Sequence, residues 1–179
     1  MSGKDTITEA VSLIKTAILQ SQAKAVAAVN QVQLALYYGI GKYISANSRN
    51  KNWGTGAIKN ISDRLKEELP GIRGFSEANI KKMRLFYEQW QMLENRSPMA
   101  NDSQTTDNED SIDIFPILSI NRSPMANDLD LSEFVSLGFS LHYEILSKTT
   151  TLEERVFYIH QAAVMKWDKY TLRNQLKQD

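Results

Sequence analysis

The side chains best suited to chemistry in this 179-residue chain are cations and one amide gathered between positions 59 and 84: Lys59, Arg73, Asn79, Lys81, Lys82 and Arg84. Guanidinium and ammonium groups suit phosphate oxygens, and an Asn carboxamide can pair bidentately with an adenine edge. Together they describe a surface for duplex DNA. Lys81, Lys82 and Arg84 would carry phosphate contacts, Lys59 and Arg73 would be outlying members, and Asn79 would touch a base edge. Each also has a plainer role. Asn79 can satisfy backbone groups in a first helical turn, and the cations can be a solvated helix face.

Catalytic chemistry is harder to place. The chain has no cysteine, so it offers neither a thiol nucleophile nor a thiolate metal site. His142 and His160 stand 18 positions apart, and neither has a second histidine or cysteine nearby at ligand spacing. Both read as structural. Gly39-Ile40-Gly41 lacks the preceding strand and further glycines of a phosphate loop, and reads as close packing of a helix end. The expectation is therefore no catalytic residue, no metal, no cofactor and no small-molecule ligand.

The elements that must position the basic cluster are helical. Residues 76–93 have their entry device intact: Ser76 is a good N-cap, and Phe75 and Ile80 can close over the first turn as a hydrophobic staple. Gly71 and Gly74 supply the tight connection before it. At 100° per residue Ile80, Met83, Phe86, Tyr87, Trp90 and Leu93 gather on one face. Residues 55–69 form a second amphipathic helix, with Thr55 as its cap, Ile58, Ile61, Leu65 and Leu69 as its stripe, and Pro70-Gly71 as its stop. Helix, short turn, helix is the layout whose second helix can enter a major groove.

Upstream, residues 5–47 carry Ile7, Val11, Ile14, Ile18, Ala25, Val29, Val32, Leu36, Ile40 and Tyr43 at steps near 3.6, without a proline. This is one long helix or two in tandem. A helix of that length cannot be covered by a body of this size, so a homo-oligomer joined through it is expected. A bend near Ser21 that folds it back is the alternative. Leu85 and Met92, on the polar side of the helix over 76–93, also suit a protein partner.

The charge balance is zero overall but uneven: +6 over residues 1–93, −7 over 94–135 and +1 over 136–179. A basic module thus bears an acidic insert. The octapeptide NRSPMAND at 95–102 recurs word for word at 121–128, which reads as a local duplication that lengthened a loop. Residues 103–111 are acidic and polar, a composition typical of disorder. Residues 112–120 are the one strand candidate, confined to an edge by Pro116. From Leu129 the helical rhythm returns, with an interruption at Gly138, a capping box at Thr151-x-x-Glu154 and Asp168 as a cap for a last short helix. No apolar run approaches the 18 residues of a membrane span, so a soluble, cytoplasmic protein without a membrane partner is expected.

Several of these residues form chained motifs. Tyr38-Gly39-Ile40-Gly41, Trp53-Gly54-Thr55-Gly56, Ile61-Ser62-Asp63-Arg64-Leu65, Gly74-Phe75-Ser76, Asn79 and Met83-Arg84-Leu85-Phe86-Tyr87 resemble the N-terminal domain of the YhcG family. So do Ser140 through Leu146, Glu153 through Tyr158 and Trp167 through Leu176. In that family of bacterial proteins the domain precedes a PD-(D/E)XK nuclease domain and is regarded as a winged-helix-like DNA-binding module. The resemblance therefore implies duplex DNA binding. The chain departs from the family in having Ala78, where an Arg usually precedes the Asn of the second helix. It has no acid followed by an acid-x-Lys pair on a credible strand, so the nuclease centre is expected to be absent.

The expected fold is all-α, a long N-terminal helix plus a helix-turn-helix or winged-helix-like core, with 112–120 as a minor β wing. Its parts are residues 1–93, the insert 94–130 and the C-terminal helices 131–179. The expected function is non-catalytic DNA binding, with an oligomerisation or protein-interaction scaffold as the alternative.

Overall fold

The computed structural model describes residues 3–49, 53–93 and 129–177. The duplicated octapeptide and the strand candidate at 112–120 lie outside the described residues. What is described is all-α: seven helices and a short 3-10 turn, with no strand among the described residues.

Helix α1 (Gly3–Arg49) is the spine of the molecule. At 1.5 Å per residue it is about 70 Å long. It runs without interruption through Ser21, so the expected alternative of a bend there is not taken. Only its C-terminal third is covered. Leu34, Ala35, Tyr37, Tyr38, Ile44 and Ser45 are buried, whereas residues 10–26 are all exposed.

Helix α2 (Ala57–Glu68) and helix α3 (Glu77–Trp90) follow. Thr55 does not cap α2. The N-cap is Gly56, at φ 89°, a left-handed conformation that glycine adopts without steric cost. Ser76 does cap α3, its hydroxyl accepting from the Asn79 amide at 3.3 Å. Ile80, Met83, Phe86 and Trp90 form the buried face of α3, and all four are at most 1% exposed. Gln91–Leu93 extends α3 as a 3-10 turn.

The rest wraps the other side of α3. Helix α4 (Leu131–Ser136) is capped by Asp130, and Gly138 separates it from helix α5 (Phe139–Leu146). Helix α6 (Leu152–Val164) opens on the Thr151/Glu154 capping box, and helix α7 (Lys169–Gln175) on Asp168. Both caps stand at the residues expected of them. One core joins these helices: Leu34 and Tyr38 from α1, Phe86 and Trp90 from α3, Phe134 from α4, Ile145 from α5, Ile159 from α6 and Leu172 from α7. The second helix of the expected reading pair is thus the centre of the protein.

Candidate interaction surfaces

Helix α3 reaches α1, α2 and α5 at once, and that central place governs its polar residues. Lys81 pairs within the helix, its Nζ 2.6 Å from Glu77 Oε1. Lys59 does the same on α2, with Nζ 2.8 Å from Asp63 Oδ2. Lys82 turns toward α5 and sits 4.5 Å above the Tyr143 ring, a cation–π contact. Arg84 turns toward α1, where its Nη1 donates to Ser48 Oγ at 3.2 Å and its Nε lies 3.8 Å from Glu88. Asn79 is half-buried and makes no side-chain hydrogen bond among the described residues. Arg73 is exposed in the turn between α2 and α3 and has no ion pair among the described residues.

The structure thus divides the six expected residues. Lys59 and Lys81 are neutralised locally on the surface, Lys82 and Arg84 face neighbouring helices, and Arg73 and Asn79 stay open near the α2–α3 turn. Ala78, at the position where the resemblance expects a basic contact, is exposed.

The ion-pair network that the sequence did not reveal lies at the end of α1. Glu88 accepts from Ser45 Oγ, Arg49 Nε and Arg49 Nη2, each at 2.9 Å. The hydrogen bonds from Arg49 hold its carboxyl below the usual carboxylate range, against the opposing effect of partial burial. A second pair joins α5 to α7. Glu144 accepts from Arg173 through Nε at 2.8 Å and Nη2 at 2.7 Å, with Lys169 Nζ 3.3 Å away. These hydrogen bonds join residues 29 to 43 positions apart, and no local pattern announces them.

The two histidines differ in their settings. His142 is buried between Phe86 and Phe134, and its Nε2 donates to the Phe134 carbonyl at 2.9 Å. His160 Nδ1 meets the Glu133 carboxylate at 2.9 Å across α6 and α4. Among the described residues no cluster of three or more His, Cys, Asp or Glu could hold a metal ion. None of the described helices is long and apolar enough to cross a membrane.

Two features stand out as surfaces for a partner. The first is the unburied part of α1. Val11, Leu13, Ile14, Ile18, Leu19, Val26, Val29 and Val32 are all more than half exposed. An apolar groove of about 610 Å³ continues this surface toward the core, between Val29, Val32, Leu36 and Tyr37 of α1 and Phe75 and Arg73 of the turn. The second is an apolar cavity of about 380 Å³ enclosed by Ile40 and Ile44 of α1, Ile61 and Leu65 of α2, and Trp53 and Phe75 beside them. The stripe of α1 was legible in the sequence. Leu13, Leu19 and Val26 were not part of it, although the 7-residue spacing of Leu19 and Val26 places both on one further face.

Neither a curated protein nor a solved structure matches the chain. Residues 13–179 match the family described as the DUF1016 N-terminal domain. That span runs from the exposed part of α1 past the end of α7, and it contains every motif that resembles the YhcG N-terminal domain. The chain belongs to the DUF1016 N-terminal domain family.

Proposed function

We propose that this domain is a non-catalytic assembly module, in which the unburied half of α1 joins copies of the chain. The observation that carries this reading is the set of eight large aliphatic side chains on α1, each more than half exposed, of which Val11, Ile14, Ile18, Val29 and Val32 share one face. Soluble monomers rarely leave contiguous apolar patches beyond a few hundred Å² uncovered. Burying a Val, Leu or Ile side chain completely is worth roughly 1.5–3 kcal/mol, so even half of that for each residue gives a substantial gross gain. The absence of cysteine suits a reducing compartment, and we place the module in the cytoplasm.

Sedimentation of the full chain at on the order of 10 µM, a concentration at which interfaces of modest affinity form, tests this. The chain should run as a dimer. A variant with Ile14→Asp and Val29→Asp, both at exposed positions, should run as a folded monomer whose unfolding temperature no longer rises with protein concentration. A monomeric full-length chain would refute the reading.

One observation favours a second reading, duplex DNA binding along α2 and α3. Arg73 presents a guanidinium without an ion pair among the described residues, in the turn that leads into the helix carrying the half-buried Asn79, on a basic half of the chain. Against it stand the local pairing of Lys59 and Lys81 and the inward engagement of Lys82 and Arg84. Affinity for a duplex measured at two salt concentrations separates phosphate binding, which releases counterions, from protein association.

A further inference from the structure

The assembly reading leaves the partner's direction and register open, and the spacing of the stripe on α1 fixes both. While Leu13, Leu19 and Val26 are exposed on other faces, one face of the exposed part of α1 carries Val11, Ile14, Ile18, Ala25, Val29 and Val32. Their successive gaps are 3, 4, 7, 4 and 3 residues, so the row reads the same in both directions about a point between Ser21 and Gln22. At 100° per residue the six fall within an arc of about 60°. Tyr38, Gly41 and Ser45, which face the core, lie more than about 100° from that arc. The row therefore points away from the body that its own helix supports.

We propose that a second copy of this chain covers the row, with the two α1 helices antiparallel and related by a two-fold axis between Ser21 and Gln22. In that arrangement Val11 of one copy meets Val32 of the other, Ile14 meets Val29, and Ile18 meets Ala25. A palindromic row is what an isologous interface requires, because the same patch must be complementary to itself. A parallel pair would not use the symmetry. The small residues near the axis, Ser21 and Ala25, let the helices approach, and the large aliphatics pack on either side.

Two further observations fit this occupant. The paired stretch from residue 11 to residue 32 is about 32 Å long, and its end adjoins the apolar groove lined by Val29, Val32, Leu36 and Phe75. This adds to the seam toward the roughly 800 Å² per partner of a standard interface. The two Tyr38 residues are then about 50 Å apart along the axis, and the cavity that Leu19, Gln22, Ala23 and Val26 share with α4, α5 and α6 lies on a flank of α1 beside the row.

This inference rests on the assembly reading, and disulfide mapping distinguishes its failure from the failure of that reading. The chain has no cysteine, so each introduced thiol is unique. Full-length Ile14→Cys and Val29→Cys proteins are mixed and oxidised, since a disulfide needs Cα atoms within about 7 Å. The expected result is a mixed disulfide between the two variants in roughly tenfold or greater excess over either homodisulfide, the factor that about 1.4 kcal/mol of preference gives. A separate Gln22→Cys protein should cross-link to itself. Dominant homodisulfides of the Ile14→Cys and Val29→Cys proteins would show a parallel pair and overturn the inference while leaving assembly standing. A sedimenting dimer with none of these cross-links would place the interface elsewhere and overturn it too. A monomer would overturn both.

Discussion

Gly41 of α1 lies so close to Met83 of α3 that a β-carbon at position 41 would collide with the Met83 carbonyl group. This proximity lets the spine and the central helix approach backbone to backbone, and the other elements of the core are arranged around it. Gly41→Ala gains helix propensity of about 1 kcal/mol but forces the two helices apart. A net loss of about 2 kcal/mol is expected in urea unfolding, in the range of overpacked cores. Gly54→Ala, with open space around its β-carbon and no positive φ, is the control and should be close to neutral. Equal effects of the two substitutions would show that the close approach does not hold the helices together.

Glu88 is the polar counterpart of that approach, tying Ser45 and Arg49 of α1 to α3. Glu88→Gln should cost about 1 kcal/mol. Arg49 is largely exposed, so solvent screens its share, while Arg84 is left with less charge nearby. The folded state holds this carboxyl below its ordinary value of 4.5. Its contribution is therefore complete above about pH 4.5 and lost as pH falls through the lower folded value. Amide exchange should show the last turn of α1 opening earlier in the variant, with α7 unaffected.

The fold was legible where a local device or a periodic stripe specified it. The Ser76 cap, the Thr151/Glu154 box, the Asp168 cap and the stripe of α3 all follow from residues within a few positions of one another. Thr55 failed as a cap because Gly56, one residue later, takes the left-handed conformation and starts α2 itself. The basic cluster was legible only as composition. Sequence spacing put Lys82 and Arg84 outside the apolar face of α3, but it could not show that α5 and α1 pack on those flanks as well. A helix with neighbours on three sides has little solvated face, and periodicity along one helix carries no information about how many neighbours it has.

His142 should give the protein a distinct dependence on pH. Burial pushes its pKa from 6.5 down to about 4, and its Nδ1 has no partner among the described residues. Between those values the unfolded chain binds a proton that the folded chain excludes. Stability is therefore complete above about pH 6.5 and falls as pH is lowered toward 4, by up to about 3 kcal/mol. His142→Phe, which keeps an aromatic ring between Phe86 and Phe134, should flatten the unfolding free energy across this window. An unchanged slope in that variant would assign the dependence to another group.

Duplex binding along α2 and α3 can be tested only with variants that leave the helix packing intact. Lys82→Glu would abolish the cation–π pairing over Tyr143, and Arg84→Glu would set a carboxylate beside Glu88. Either change disturbs helix packing, so weaker binding would not report on a phosphate. Lys59 and Lys81 are partly neutralised by Asp63 and Glu77. Arg73 carries no such partner among the described residues, and it projects from the turn that orients α3. Arg73→Glu should leave the unfolding temperature unchanged. If the α2–α3 surface binds duplex, this variant should lower affinity and flatten the slope of log affinity against log salt by roughly 0.9 for each phosphate no longer neutralised. Asn79→Ala should then relax discrimination between base sequences without changing that slope, because pairing with a base edge releases no counterion. Unchanged affinity and slope for Arg73→Glu would count against a duplex on this surface and favour the assembly reading.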